Sequence, residues 1–186
     1  MVSHLPKTIL VTGPSRSGKS ELAEILAEKT QKSVIYIATA QIDENDHEWQ
    51  TRILQHQQRR PPSWKTLIAS TDLSSYLKQA FNSECLLIDS LGTWVANFVE
   101  FEELEWQQIG DRFLSSLQTT AATVILVGEE TGWGVVPAYP MGRLFRDRLG
   151  SLSRRVGNIA DTTYLVTGGH VINLSVVGEP LKNYGI

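Results

Sequence analysis

With 186 residues the chain has room for one domain with a substantial core, and a hydrophobic content of 41% is that of a folded chain, not a disordered one. A formal net charge of −3 argues against nucleic acid or an anionic membrane as partner. The single cysteine, Cys85, excludes an internal disulfide, and no apolar run is long enough to span a membrane or to form a signal peptide, so a cytoplasmic protein is expected.

The elements are predicted from apolar periodicity. The first is a strand over Thr8–Thr12, "TILVT", which runs directly into "GPSRSGKS". A helix is predicted over Lys19–Lys29, a strand over Ser33–Ala38, a helix over Asp46–Gln58 and another over Leu73–Phe81. A strand over Cys85–Asp89 follows, in which Cys85 reads as a small core residue. Next come a helix over Glu103–Leu117, with Gly110 as its weak point, and a strand over Thr123–Gly128. A Gly-, Pro- and aromatic-rich stretch, "GEETGWGVVPAYP", then reads as a substrate loop or a structured turn. The clearest helix is Met141–Ala160, where Leu144, Leu149, Leu152, Val156 and Ile159 make one stripe. The strand Thr162–Thr167 and the turn at Gly168–Gly169 lead into "HVINLSVV", predicted to close a C-terminal hairpin. The strands are apolar on both faces and alternate with helices. The fold class is therefore α/β: one domain over 1–186 with a mainly parallel sheet flanked by helices, and ligands at the carboxyl ends of its strands.

The segment between the first strand and first helix carries Gly13, four residues, then Gly18-Lys19-Ser20, the spacing of a P-loop in the strand-to-helix context that motif needs. Glycine permits backbone angles that turn successive N–H groups inward onto phosphate oxygens, and the helix N-terminus adds its positive dipole end. Gly13, Pro14, Ser15, Arg16, Ser17, Gly18, Lys19 and Ser20 are accordingly predicted to bind a nucleotide. Lys19 places an ammonium near the β- and γ-phosphates, and the Ser20 hydroxyl is a ligand for Mg²⁺. A second, metal-side carboxylate is expected at the end of a neighbouring strand, and "LLIDS" supplies Asp89.

A second cluster lies in "WQTRILQHQQRRPPSW". On a helix, Arg52, His56 and Arg59 share a face, and Pro61-Pro62 ends the helix beside Arg59 and Arg60. Guanidinium neighbours disfavour the imidazolium, so His56 is predicted neutral and nucleophilic; the competing reading is a solvated face with a surface histidine, as for His47. A further set, Arg143, Arg146, Arg148, Arg154 and Arg155, falls on the helix after the Gly-rich loop. These are candidates to stabilise transferred phosphate, or solvated charges offset by Asp147.

In this order, "LVTGPSRSGKS", "YIATAQI", the block Arg52–Pro61 with Trp64 and Thr66, "LLIDSLGTWVANFV", "GWGVVP" and "RLFRDRLGSLSRRVGNIADTTYLVTGG" resemble the bifunctional adenosylcobinamide kinase/adenosylcobinamide-phosphate guanylyltransferase family. The resemblance spans nearly the whole chain. It implies a P-loop NTPase-type (RecA-like) fold and two reactions. A nucleoside triphosphate, ATP or GTP, phosphorylates adenosylcobinamide; a histidine then takes GMP from GTP and passes it to adenosylcobinamide phosphate, giving adenosylcobinamide-GDP. The family's nucleophile maps onto His56, and its nucleotide contacts onto Ala38, Thr39 and Ala40 and onto Gln57, Gln58, Arg59 and Arg60, the two arginines offsetting charge at the α-phosphate. The resemblance also implies a homotrimer. Three positions depart from the family pattern: Ile68 stands where a nucleotide-contacting glutamate is usual, "GEETG" replaces Ser-Asn-Glu-Val-Gly, and Ser153 replaces a common Asn. The alternatives are a single-activity P-loop small-molecule kinase and a nucleotide-gated interaction protein.

Overall fold

The β-branched runs pair into one seven-stranded sheet, and the order of those strands decides which side chains meet. The structure, a computed structural model, describes residues 6–40 and 60–185. The strands are β1 (Thr8–Gly13), β2 (Ser33–Ala38), β3 (Lys65–Ile68), β4 (Glu84–Asp89), β5 (Thr123–Glu129), β6 (Thr162–Thr167) and β7 (His170–Asn173). Their order is β3-β2-β4-β5-β1-β6-β7; the first six are parallel and β7 pairs antiparallel with β6. The helices are α1 (Lys19–Lys29), α2 (Leu73–Gln79), α3 (Leu91–Ala96), α4 (Glu103–Thr119), α5 (Pro140–Ile159) and α6 (Leu174–Val177). The predicted helix Asp46–Gln58 lies outside the described residues.

Alternate residues of the central strands point to opposite faces, and each face has its own core. Ile9, Val11, Leu87, Ile125 and Val127 pack beneath α1, against Ala23, Leu26 and Ala27. Leu10, Leu86, Ile88, Val124 and Leu126 pack on the other face, beneath α2 to α5. There Trp94 sits 4.8 Å, centroid to centroid, from Phe113 and 5.2 Å from Phe98. Cys85 lies on the α1 face and is fully buried, as its neighbours predict.

Two elements differ from expectation. β3 is an edge strand paired only to β2, and three of its four residues are exposed, so it has no apolar run to betray it. α3 is short and largely buried through Leu91, Trp94 and Val95, so no amphipathic stripe marks it and no element is predicted there; the Ser90–Thr93 capping box opens it as a helix. The closing hairpin is present, but β7 stops at Asn173, whose side chain caps α6 by accepting from the Ser175 N–H at 3.0 Å. Gly110 does not interrupt α4, because Trp106, Phe113, Leu114 and Leu117 are buried around it and outweigh a propensity cost of about 1 kcal/mol.

Arg148 is the one α5 arginine that the core takes in whole, at 4% exposure. Its Nη1 donates to the carbonyls of Phe98 (2.7 Å) and Val99 (3.3 Å), and its Nη2 to Phe101 O (2.8 Å) and Glu103 Oε2 (3.3 Å). These carbonyls belong to the turn that carries the chain from α3 to α4, where Phe98 O also accepts from the Phe101 N–H at 3.1 Å. Glu103 is mostly exposed, so the ion pair adds little and the carbonyl bonds carry the effect. Arg148→Met keeps the apolar stem and strands the carbonyls; it is expected to lower unfolding free energy by about 3–4 kcal/mol, measured by urea denaturation.

Candidate active site

β1 ends at Gly13 and α1 begins at Lys19, so the predicted phosphate loop bridges the carboxyl edge of the sheet and the start of a helix. The loop bends on left-handed backbone at Arg16 (φ 57°) and Gly18 (φ 96°), which turns it around on itself before α1 starts. Lys19 is buried and its Nζ donates to Pro14 O at 2.9 Å, a bond that closes the loop and that a phosphate oxygen can replace. Ser17 Oγ is buried with no hydrogen-bond partner among the described residues, a free donor group inside the loop. The Ser20 hydroxyl follows Lys19 on the first turn.

Asp89 ends β4, but β4 is not the neighbour of β1: β5 lies between them, in register with both. The expected second carboxylate is thus one strand further away than predicted. Periodicity identifies strands and says nothing of their lateral order. The intervening strand brings two acids that the sequence reading passed over. Glu130 Oε1 accepts from Thr12 Oγ1 at 2.7 Å, and the Glu130 N–H donates to Gly13 O at 2.9 Å, so this residue braces the start of the loop. Glu129 accepts from the Ser90 hydroxyl and, through Oε2, from the Gly92 N–H at 2.8 Å. Burial raises its pKa, Asp89's charge adds to that, and the two donors oppose it. The signal for both was the paired acids of "GEETG", where Glu129 takes the place of the family's usual Asn.

Asp89 itself is held from β2. The Tyr36 hydroxyl donates to Asp89 Oδ2 at 2.9 Å. Burial, with Asp89's charge second, pushes the phenol far above its usual range, so Tyr36 stays a donor. Beyond β2, Ala38 and Ala40 are half-buried, whereas Thr39 is fully buried. Its Oγ1 donates to Ser90 O at 2.7 Å, accepts from Ser90 N at 2.9 Å, and lies 2.5 Å from Thr93 Oγ1. Asn97 Nδ2 donates to Thr39 O at 2.8 Å. The Thr39 hydroxyl is therefore engaged within the fold, tying the end of β2 to the start of α3.

His56, Gln57, Gln58 and Arg59, like His47 and Arg52, lie outside the described residues. Arg60 is described: Cζ stacks 3.3 Å from the Tyr36 ring centroid, and Nε lies 3.8 Å from Glu24 Oε1 on α1, an ion pair without a hydrogen bond among the described residues. Ile68, at the end of β3, is 54% exposed and offers no acceptor to a guanine N–H. Of the α5 arginines, Arg148 is structural, Arg155 pairs with Asp111, and Arg143 Nη1 caps Pro137 O and Ala138 O at 3.0 and 2.7 Å. Arg146 is half-buried, with Nη1 buried and without a hydrogen-bond partner among the described residues, near the Gly132 end of the Gly-rich loop. That loop carries exposed Trp133, Val135, Val136 and Tyr139.

The donor set suits Mg²⁺. That ion takes oxygen ligands and is commonly bound by one or two protein groups together with phosphate oxygens. Ser20 offers a hydroxyl, and Asp89 offers Oδ1, which has no hydrogen bond among the described residues while Oδ2 is occupied by Tyr36. No group of three His, Cys, Asp or Glu among the described residues can cage a metal by itself. The chemistry of these two oxygen donors suits an ion that also takes phosphate oxygens.

The family model described as "Cobinamide kinase / cobinamide phosphate guanyltransferase" matches residues 9–174. The bifunctional adenosylcobalamin biosynthesis protein CobP of Pseudomonas aeruginosa is 37% identical over 176 residues, covering 92% of this chain and 98% of that protein. The bifunctional adenosylcobalamin biosynthesis protein CobU of Escherichia coli K12 is 33% identical, covering 87% and 96%. In three dimensions the chain is similar to the ATPase EscN of the enteropathogenic E. coli type III secretion system, with a TM-score of 0.53 and 14% identity over 87% of this chain and 43% of that one. That likeness concerns the fold alone, a P-loop NTPase sheet.

Proposed function

The chain belongs to the cobinamide kinase / cobinamide phosphate guanyltransferase family, and from that premise we propose that it is a bifunctional enzyme of cobalamin biosynthesis whose two reactions share one P-loop. The observation that carries the reading is the family match over residues 9–174, which encloses the loop Gly13–Ser20, Asp89 and His56.

In the first reaction, the loop amides and Lys19 hold the triphosphate of ATP or GTP while the aminopropanol hydroxyl of adenosylcobinamide attacks the γ-phosphorus. The bond to the bridging oxygen breaks and the nucleoside diphosphate leaves with Lys19 countering its charge. Mg²⁺, held by Ser20 and Asp89, supplies charge neutralisation at the phosphate oxygens. In the second reaction, the neutral imidazole of His56 attacks the α-phosphorus of GTP and pyrophosphate departs, leaving GMP on nitrogen. A phosphate oxygen of adenosylcobinamide phosphate then attacks that phosphorus, the P–N bond breaks, and adenosylcobinamide-GDP is released. Arg59, Gln57 and Gln58 accompany His56 as contacts to the nucleotide, and Ala38 and Ala40 line it from the end of β2. We include the homotrimer in this reading; the exposed apolar run Trp133–Tyr139 supports a surface that is covered in the assembly. No helix among the described residues is long and apolar enough to cross a membrane; the reading includes a cytoplasmic setting.

The test uses two labels. GTP labelled at the α-phosphate is expected to leave an acid-labile guanylyl group on the protein, and γ-labelled triphosphate to pass its label to cobinamide. Transfer of the γ-label alone would mean a single-activity kinase. Nucleotide binding with neither transfer would mean an interaction protein gated by nucleotide.

A further inference from the structure

Asp89 ends β4 and Ser20 opens α1, which packs across β5 onto β4 through Ala23, Leu26, Ala27 and Leu87. Apolar packing sets the spacing of these elements but not the rotation of a carboxylate. On the α1 face a chain of polar contacts links the two. Glu24 lies one helical turn after Ser20, Arg60 reaches it at 3.8 Å, the same guanidinium covers the Tyr36 ring at 3.3 Å, and the Tyr36 hydroxyl meets Asp89 Oδ2 at 2.9 Å. Tyr36 is 5% exposed and the Arg60 side chain 6%, so water does not compete freely for either.

The chemistry of each link is directional. A phenol hydroxyl, locked as donor, fixes the rotation of a carboxylate by occupying one of its oxygens and leaving the other to face a cation. The guanidinium caps the ring from its face and is attracted at 3.8 Å, by charge and without a hydrogen bond among the described residues, to a carboxylate on the helix that begins with Lys19 and Ser20. We propose that Tyr36 is a positioning residue that orients Asp89 toward the nucleotide-bound cation, with Arg60 clamping its ring to the phosphate-loop helix. The proposal rests on the reading of Asp89 as a metal-side carboxylate given above.

Tyr36→Phe removes one hydroxyl and keeps the ring, the volume and the Arg60 stack, so the fold is retained. Binding of a non-hydrolysable GTP analogue to the full chain is titrated calorimetrically against MgCl₂, alongside Asp89→Asn and thermal unfolding of each variant. In Tyr36→Phe the Mg²⁺ concentration for half-maximal enhancement of binding is expected to rise about tenfold, the scale seen when a ligand's supporting partner is lost. Metal-free affinity and melting temperature are expected to hold. If Asp89→Asn shifts the Mg²⁺ dependence and Tyr36→Phe does not, the role of Tyr36 is overturned while Asp89 keeps its own. If neither shifts it, the reading of Asp89 falls and takes the proposal with it. If Tyr36→Phe lowers metal-free affinity, melting temperature and Mg²⁺ response together, the hydroxyl is merely structural and the proposal is wrong.

Discussion

His56→Ala is expected to carry no acid-labile guanylyl group after incubation with α-labelled GTP, while still transferring γ-phosphate to cobinamide. Alanine offers no nitrogen to the α-phosphorus, so the covalent step has no substitute and guanylyl transfer drops at least about a thousandfold, as when a nucleophile is deleted. The kinase step uses the phosphate loop and Lys19, which the change does not touch, and its kcat/KM is expected to stay within about threefold of wild type. The separation of the two activities is the informative result. Label retained by the variant would show that another group attacks GTP. Loss of both activities would place the histidine in nucleotide binding and leave the guanylyl intermediate without its residue.

Gly13→Ala is expected to disable both activities at once, for a reason visible in the backbone. Gly13 has φ 153°, and a Cβ there would lie 2.2 Å from Val166 O and 3.0 Å from Ser17 Oγ. Val166 O belongs to the backbone of β6, and Val166 is itself buried, so the clash cannot be relieved by rotating a side chain. Relief must come from moving the phosphate loop or separating β1 from β6. The strained angle and the clash together are expected to cost about 3 kcal/mol or more. In a chain of this size that lowers the melting temperature by about 6–12 °C, and Mg-nucleotide affinity, read by calorimetry, falls at least about tenfold. Gly150→Ala, on the exposed side of α5, is the control: nothing lies within 4 Å of a Cβ there, and the change is expected to stay within about 1 kcal/mol. Equal melting curves for the two variants would refute the role given to the β1–β6 contact.

Much of the architecture was legible because buried parallel strands have a distinctive composition. β2 and β6 begin and end where their apolar runs do, and α1 spans Lys19–Lys29 as predicted. The phosphate loop was legible because its spacing encodes a backbone shape. What escaped has a common cause. β3 is solvated on one edge, α3 is short and mostly buried, and the placing of β5 between β1 and β4 depends on crossovers that leave no periodicity. Within the site, Asp89 could be read from a strand end, but Tyr36 looked like one more apolar strand residue. Its hydroxyl matters only because β2 lies beside β4, a long-range fact. Thr39 shows the converse: family likeness marked it as a nucleotide contact, and the fold spends its hydroxyl on Ser90 and Thr93.

Cys85, near the start of β4 and beneath α1, has a further use. Its thiol is wholly enclosed, and burial pushes its pKa up to about 11, so at neutral pH it is neither reachable nor ionised. A thiol-reactive dye therefore modifies the protein only as fast as the strands separate, and a lone sulfur means a single kinetic phase to interpret. Saturating nucleotide, at a hundred times its Kd, is expected to slow that modification about a hundredfold by mass action, turning one inert side chain into a gauge of how firmly ligand closes the molecule.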